Sequence, residues 1–184
     1  TEMLREDQLD LMLCNLVNQE GELEYEHLCW DPVIFLVQSA HPCCRYARYR
    51  DTFYHPWIDL REFEQEIFIL QHQGQSLRQY SDQAGLSPQR ITQIRNIETA
   101  AQMAANGLGV SFCLESYFRH MMFIQPPYRF SVGERQLAAD FSAAYRRGRQ
   151  LPEYTVQFIH LLKNLMEMEV GRMVEMDKSV NKNL

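Results

Sequence analysis

Gln71-His72-Gln73-Gly74-Gln75-Ser76 follows the apolar run Ile67–Leu70 and precedes Leu77–Gln83, whose residues predict a helix. A strand, a polar loop with a glycine and a helix start together point backbone N–H groups at an anion or a polar ligand. The glycine spacing and Lys-Ser/Thr pair of a P-loop are absent. The same pattern also fits an ordinary capped helix. A second helix start lies at Asn96-Ile97-Glu98-Thr99. Asn96 suits the N-cap, because its side-chain oxygen can accept from an orphan N–H of the first turn. Glu98 places negative charge where the helix dipole favours it.

Other reactive side chains form no recognisable set. The histidines at 27, 41, 55, 72, 120 and 160 are scattered, with no Ser/His/Asp arrangement or paired carboxylates in a motif, so no catalysis is expected. The cysteines at 14, 29, 43, 44 and 113 are odd in number and lack the separated Cys-x-x-Cys pairs of a structural zinc site. No metal and no cofactor is expected. Reduced thiols fit a cytoplasmic protein. Arg45 to His55 interleaves arginine with tyrosine and phenylalanine, a pattern that can stack on nucleic acid. Within an acidic chain it reads as an exposed loop.

Composition narrows the classes. The chain has 184 residues, 46% of them hydrophobic and 23% charged, with a formal charge of −6. That is ordinary for a globular protein, and it argues against a nucleic-acid-binding module, which usually carries a net basic face. No run of eighteen apolar residues is present, so no membrane span is expected.

The elements that must hold the polar loops are read in chain order. Leu4 to Asn15 predicts a helix end, a turn and a buried strand. Leu16 to Asp31, with Glu20, Glu22, Glu24 and Glu26, predicts a solvated connection. Val33-Ile34-Phe35-Leu36-Val37 predicts a strand covered on both faces. A short amphipathic helix is expected from Pro56 to Phe63, and strands at Ile67–Leu70 and Ile91–Ile94. Thr99 to Ala105 forms a small alanine-rich helix, stopped by Asn106-Gly107 because glycine takes the left-handed conformation cheaply. Leu108 to Phe112 is a short buried strand. Strands are further expected at Met121–Ile124 and Phe141–Tyr145. After Pro152, the spacing of Val156, Ile159, Leu162 and Met166 predicts a helix. Asp177 to Leu184 is expected to be disordered.

Four strings carry a resemblance. Ala104-Ala105-Asn106-Gly107-Leu108-Gly109-Val110 resembles the helix–turn–strand segment in the effector-binding domain of LysR-type transcriptional regulators. Leu9-Asp10-Leu11-Met12-Leu13 resembles the family's Leu-Asp-Leu-Ala-Leu string, and Ala40-His41-Pro42 its His-Pro step. Phe158-Ile159-His160-Leu161-Leu162 is similar to the family's closing helix. The resemblance runs in family order from Leu9 to about Leu165. It implies an α/β fold of two lobes, like periplasmic binding proteins of the second type, each a mixed sheet flanked by helices and joined by two crossovers. The implied division is 1–44 for a partial lobe I, 45–127 for lobe II, and 128–184 for the return to lobe I.

The implied function is sensing of a small polar or anionic effector between the lobes, with pairing into a homodimer or tetramer. A solute-binding protein of the same fold, serving transport, is the alternative. DNA would be read only through an N-terminal winged helix-turn-helix, a segment these residues do not include; the early part of lobe I is likewise expected to precede Thr1. The effector-lining residues that the resemblance implies are Gln73, Gly74, Gln75, Ser76, Asn96, Ile97, Glu98 and Thr99 in lobe II. Asn15 is the candidate in lobe I, and Gln38 and Ser39 are candidates at the crossing. Hydroxyl and amide groups of these types suit a carboxylate or hydroxylated metabolite. Glu98 is expected to face solvent or to pair with Arg95.

Overall fold

The computed structural model describes residues 1–16, 19–71 and 75–180, with side chains of 75–78 and 167–180 left aside. The chain forms two compact units, one of Thr1–Asp31 with Ala139–Leu184 and one of Pro32–Ala138.

The first unit opens with one helical turn, α1 (Glu2–Arg5), and an edge strand, β1 (Met12–Leu16). Here β1 pairs antiparallel with β7 (Ala138–Arg146), from Met12 opposite Ala144 to Leu16 opposite Asp140. The strand β2 (Leu23–Val37) lies on the other side of β7. Alternation along these strands sends side chains to two faces. On one face Leu4 of α1 packs with Leu23 and Ala144. On the other, Leu28, Ala143 and Ile159 meet beneath α5 (Glu153–Val180).

Three expectations for this unit need correction. Leu23 to Asp31 is not a solvated connection but the first half of β2. Its two glutamates, Glu24 and Glu26, flank Tyr25 and are half-buried, while Leu23 and Leu28 are buried. The strand β1 is half-buried rather than buried, with Leu13 at 40% exposure, because only β7 flanks it. Asp177 to Val180 continue α5 instead of fraying; residues 181–184 lie outside the described residues.

The second unit holds the larger core. Its sheet runs β2, β5 (Val110–Leu114), β3 (Ile67–Gln71), β4 (Arg90–Ile94), with β6 (Tyr128–Phe130) also pairing with β2. The strands β5, β3 and β4 run parallel to one another, and β2 runs antiparallel to β5. Val33 to Val37 are all buried, as expected of a strand covered on both faces. Phe35 stands at the centre, its ring 5.0 Å from Phe63, 5.1 Å from Phe112 and 6.1 Å from Phe68. The helices are α2 (Gln75–Gln83), α3 (Ile97–Ala105) and the short α4 (Glu115–Phe118). Four alanines of α3, at 100, 101, 104 and 105, are buried, and Ala101 and Ala104 contact Ile34, Leu36 and Cys113. Small side chains let this helix lie close to the sheet. Close approach is also enforced at Gly109, where a Cβ would sit 2.3 Å from the Ile67 carbonyl oxygen.

The segment Met121–Ile124 is not a strand: Met122 is 87% exposed and Ile124 fully so. Phe118 and Phe123 stack at 5.1 Å and serve as its anchor. The expected crossings at 44/45 and 127/128 also differ from the boundaries observed at Asp31/Pro32 and Ala138/Ala139. The His41-Pro42 step begins a 3-10 helix (Pro42–Tyr46) after β2 has already traversed the second unit.

Candidate functional site

Three parallel strands end at one edge of the second unit. In the sheet register Gln71 stands opposite Ile94, so β3 and β4 finish side by side. The Gln71 carboxamide reaches across and donates to the Arg95 carbonyl at 3.2 Å. One residue later Asn96 begins the turn into α3, while α2 begins at Gln75. Both helix starts therefore stand at the carboxyl ends of neighbouring parallel strands. Open α/β sheets bind ligands at this edge, because helix N-termini and loop amides converge there. Pro32, where the unit begins, stands at the same edge, since Val33 pairs with Leu114.

Asn96 is the N-cap that its residue type predicts. Its Oδ1 accepts from the Glu98 N–H at 2.7 Å and the Thr99 N–H at 3.2 Å. Those two amides are thus engaged by the cap, and Asn96 Nδ2, the Ile97 N–H and the Thr99 hydroxyl remain as the groups to offer a ligand. Thr99 and Glu98 are exposed and Ile97 is half-buried. Glu98 faces solvent, and no ion pair joins it to Arg95 among the described residues. Replacing Asn96 with alanine is expected to cost about 1 kcal/mol, read as a lowered urea midpoint; an unchanged midpoint would show that the cap contributes nothing.

The other candidates are placed as follows. Gln73 and Gly74 lie outside the described residues, as do the side chains of Gln75 and Ser76. Gln38 follows the end of β2, where Leu36 pairs with Ser111, and its side chain lies against Gly107 at the C-terminal end of α3. A nine-residue helix is about 13 Å long, so Gln38 and the exposed Ser39 are not gathered with Asn96 and Thr99. Asn15 belongs to β1 of the first unit. Its Oδ1 is buried and has no hydrogen-bond partner among the described residues.

Sequence reading missed a buried ionic cluster of the second unit. Glu115, just past β5, is 2% exposed. Its Oε2 lies 2.9 Å from His55 Nε2, and its Oε1 accepts from Arg129 at 2.8 Å and Arg119 at 3.3 Å. Burial raises the Glu115 carboxyl, but the His55 hydrogen bond and the charges of His55, Arg129 and Arg119 outweigh it, and the group is held below its ordinary value. The i,i+4 spacing of Glu115 and Arg119 was the one local signal; the other partners are distant in sequence.

A second polar set lies in the first unit. Asp140 Oδ1 receives the Ser142 hydroxyl at 2.7 Å and lies 2.7 Å from His27 Nδ1. The carboxylate stands between the hydroxyl and the imidazole. Nucleophile activation needs the imidazole next to the hydroxyl, so this order does not make a triad. Among the described residues no three His, Cys, Asp or Glu side chains could hold a metal ion.

A family model described as the LysR substrate-binding domain matches residues 1–167. The chain belongs to this family. It is thereby a ligand-sensing regulatory domain of the LysR type, and the transport alternative is not favoured. Comparison with curated protein sequences found no match. Solved structures share the fold at low identity. The BenM effector-binding domain with its effector benzoate is 15% identical, with a TM-score of 0.71 over 92% of this chain and 74% of that one. The CcmR regulatory domain of Synechocystis PCC6803, in complex with 2-PG, is 17% identical, with a TM-score of 0.70 over 90% of this chain and 77% of that one. OxyR of Corynebacterium glutamicum is 18% identical, with a TM-score of 0.72 over 98% of this chain and 54% of that one. This LysR substrate-binding domain thus spans about half of that longer regulator. Among its described residues no helix is long and apolar enough to cross a membrane.

Proposed function

We propose that this LysR substrate-binding domain binds a small polar or anionic effector at the carboxyl edge of the β3–β4 pair. The observation that carries the reading is the neighbouring start of α2 and α3 at that edge, tied by the Gln71–Arg95 hydrogen bond. Asn96 Nδ2 and the hydroxyls of Thr99 and Ser76 supply the polar contacts, with Gln73, Gly74, Gln75 and Ile97 beside them. Glu98 stays in solvent, because a carboxylate at the contact would repel an anion. The benzoate of BenM and the 2-PG of CcmR agree with an acidic effector.

In this reading the domain is not an enzyme. The effector binds one arrangement of the domain more tightly than another, and that difference shifts the population. A DNA-reading segment elsewhere in the longer cytoplasmic protein responds, and domains pair as homodimers or higher assemblies.

Thermal-shift screening against carboxylates, amino acids and aromatic acids tests the assignment. A hit is expected to lose its stabilisation in both Thr99→Ala and Ser76→Ala. A hit that stabilises both variants as well as the unaltered protein would remove the site from this edge.

A further inference from the structure

The strand order begins at β1 and ends at β4, so each leaves one backbone edge without a strand partner among the described residues. Such an edge is a template for another strand, and proteins ordinarily block it with charge or proline. The strand β4 is blocked in this way: Arg90 opens it, Arg95 follows it and Gln93 is exposed on it. The strand β1 is not. From Leu11 to Leu16 the residues are Leu-Met-Leu-Cys-Asn-Leu, with no charge and no proline, and Leu13 is 40% exposed.

A second apolar feature lies on the same face. Leu13 stands opposite Ala143, and Ala143 packs with Ile159 of α5. Directly opposed residues project to the same side of a sheet, so Leu13 and α5 share that face. On α5, Tyr154, Phe158, Leu161 and Leu165 recur at helical spacing. They form a stripe between 47% and 69% exposed, beside the buried Ile159.

We propose that β1 pairs antiparallel with β1 of a second copy of this chain, joining two first-unit sheets across a two-fold axis. The proposal rests on the pairing of domains in the reading above and assigns its surface. A two-fold axis sets residue i opposite residue c − i. Both must turn their hydrogen-bonding groups outward, and those groups alternate along a strand. The axis therefore falls on a residue facing its own copy. Centring on Cys14 pairs all of β1: Met12 with Leu16 of the second copy, Leu13 with Asn15, and Cys14 with Cys14. No like charges meet in this register, which favours self-association in a chain of net charge −6. A short strand pair is marginal alone. The joined sheet also carries both copies of α5 on one face, where their apolar stripes cover each other.

Sedimentation equilibrium of the full chain and thiol crosslinking test this. Replacing Cys43 and Cys44 with serine leaves Cys14 as the half-buried thiol, since Cys29 and Cys113 are buried. A short bis-alkylating reagent is expected to join Cys14 of two copies, because opposed Cα atoms in an antiparallel pair lie about 4.5–5.5 Å apart; peptide mapping identifies the bridge. Leu13→Lys is expected to weaken the dimer about tenfold, since lysine on an edge opposes pairing, whereas Gln93→Lys on β4 leaves it unchanged. Circular dichroism checks that each variant folds, and the crosslink, made with β1 unaltered, decides if Leu13→Lys does not. A monomer at every concentration overturns the proposal together with the pairing in the earlier reading. A dimer that Leu13→Lys leaves as tight, or that yields no Cys14–Cys14 bridge, overturns the edge alone and leaves that pairing to another surface. A Cys14 bridge to any other segment would give the edge to a different occupant and overturn self-pairing.

Discussion

Phe35→Ala is expected to lower stability by about 4 kcal/mol, the range for truncating a fully buried phenylalanine. Phe35 is wholly buried on β2, and its ring touches a phenylalanine from each of three other segments: Phe63 near the 3-10 turn Leu60–Phe63, Phe68 on β3 and Phe112 on β5. Truncation removes the ring from the middle of that group. The neighbours are themselves held by strand register, so the void collapses only in part. Urea unfolding followed by circular dichroism measures the change. Phe35→Leu, which fills much of the space, should lose clearly less. A loss below about 1.5 kcal/mol for the alanine variant would mean that the rings repack freely, contrary to a core of native density.

Glu115→Ala is expected to cost about 3–5 kcal/mol, because removing one member of a buried ionic set leaves the others uncompensated. His55, whose side chain is 4% exposed, would then face Arg129 and Arg119 without the carboxylate between them. The same residue gives a pH signature. Burial pushes its folded carboxyl up, but the hydrogen bond and charge of His55 and the two arginines outweigh that and hold it below the ordinary carboxylate value. A depressed acid contributes stability that is fully present above the unfolded value and is lost as pH falls through the folded one. The unaltered protein should therefore lose stability on acidification below 4.5, and the alanine variant should lose less over that window. Urea midpoints taken at neutral pH and in that acid range compare the two. Parallel acid profiles would show that Glu115 does not carry the dependence.

What could be read from the chain follows the range of the forces involved. Asn96 as an N-cap, Gly107 as a stop and Val33–Val37 as a doubly covered strand depend on neighbours within a few residues, and each stands as expected. The family resemblance also held, since it rests on ordered strings across the chain. The first half of β2 was missed because Glu20, Glu22, Glu24 and Glu26 suggest solvent, whereas the strand begins only at Leu23 and buries Leu23 and Leu28 in two separate clusters. The His41-Pro42 step drew attention away from Asp31–Pro32, where the contact boundary falls. Met121–Ile124 is apolar enough for a strand, but Met121 and Phe123 pack against the core of the sheet while Met122 and Ile124 stay exposed, without strand pairing among the described residues. Asn96 could be read as a cap from its residue type and Thr99 was named only through the family resemblance, while Gln38 could not be placed without knowing that β2 runs against β5. The set of Glu115, His55 and Arg129 was hidden for a simpler reason. Its members are 60 and 14 residues apart in sequence, and only tertiary packing brings them together.

The end of α3 also governs how the protein ages. Asn-Gly is the dipeptide most prone to close into a succinimide, in which the glycine nitrogen attacks the asparagine side-chain carbonyl and ammonia departs. At Asn106-Gly107 both participants are occupied: Gly107 N–H donates to the Ala104 carbonyl at 3.1 Å, and Asn106 Nδ2 donates to the Gln102 carbonyl at 2.7 Å. Gly107 is further held by its φ of +75°. While the helix end is intact, these hydrogen bonds hold the nitrogen and the side chain in place. Once that turn loosens, hydrolysis of the ring yields isoaspartate, which lengthens the backbone by one carbon immediately ahead of β5. Chemical damage at this step is thus a clock that runs on local unfolding rather than on elapsed time.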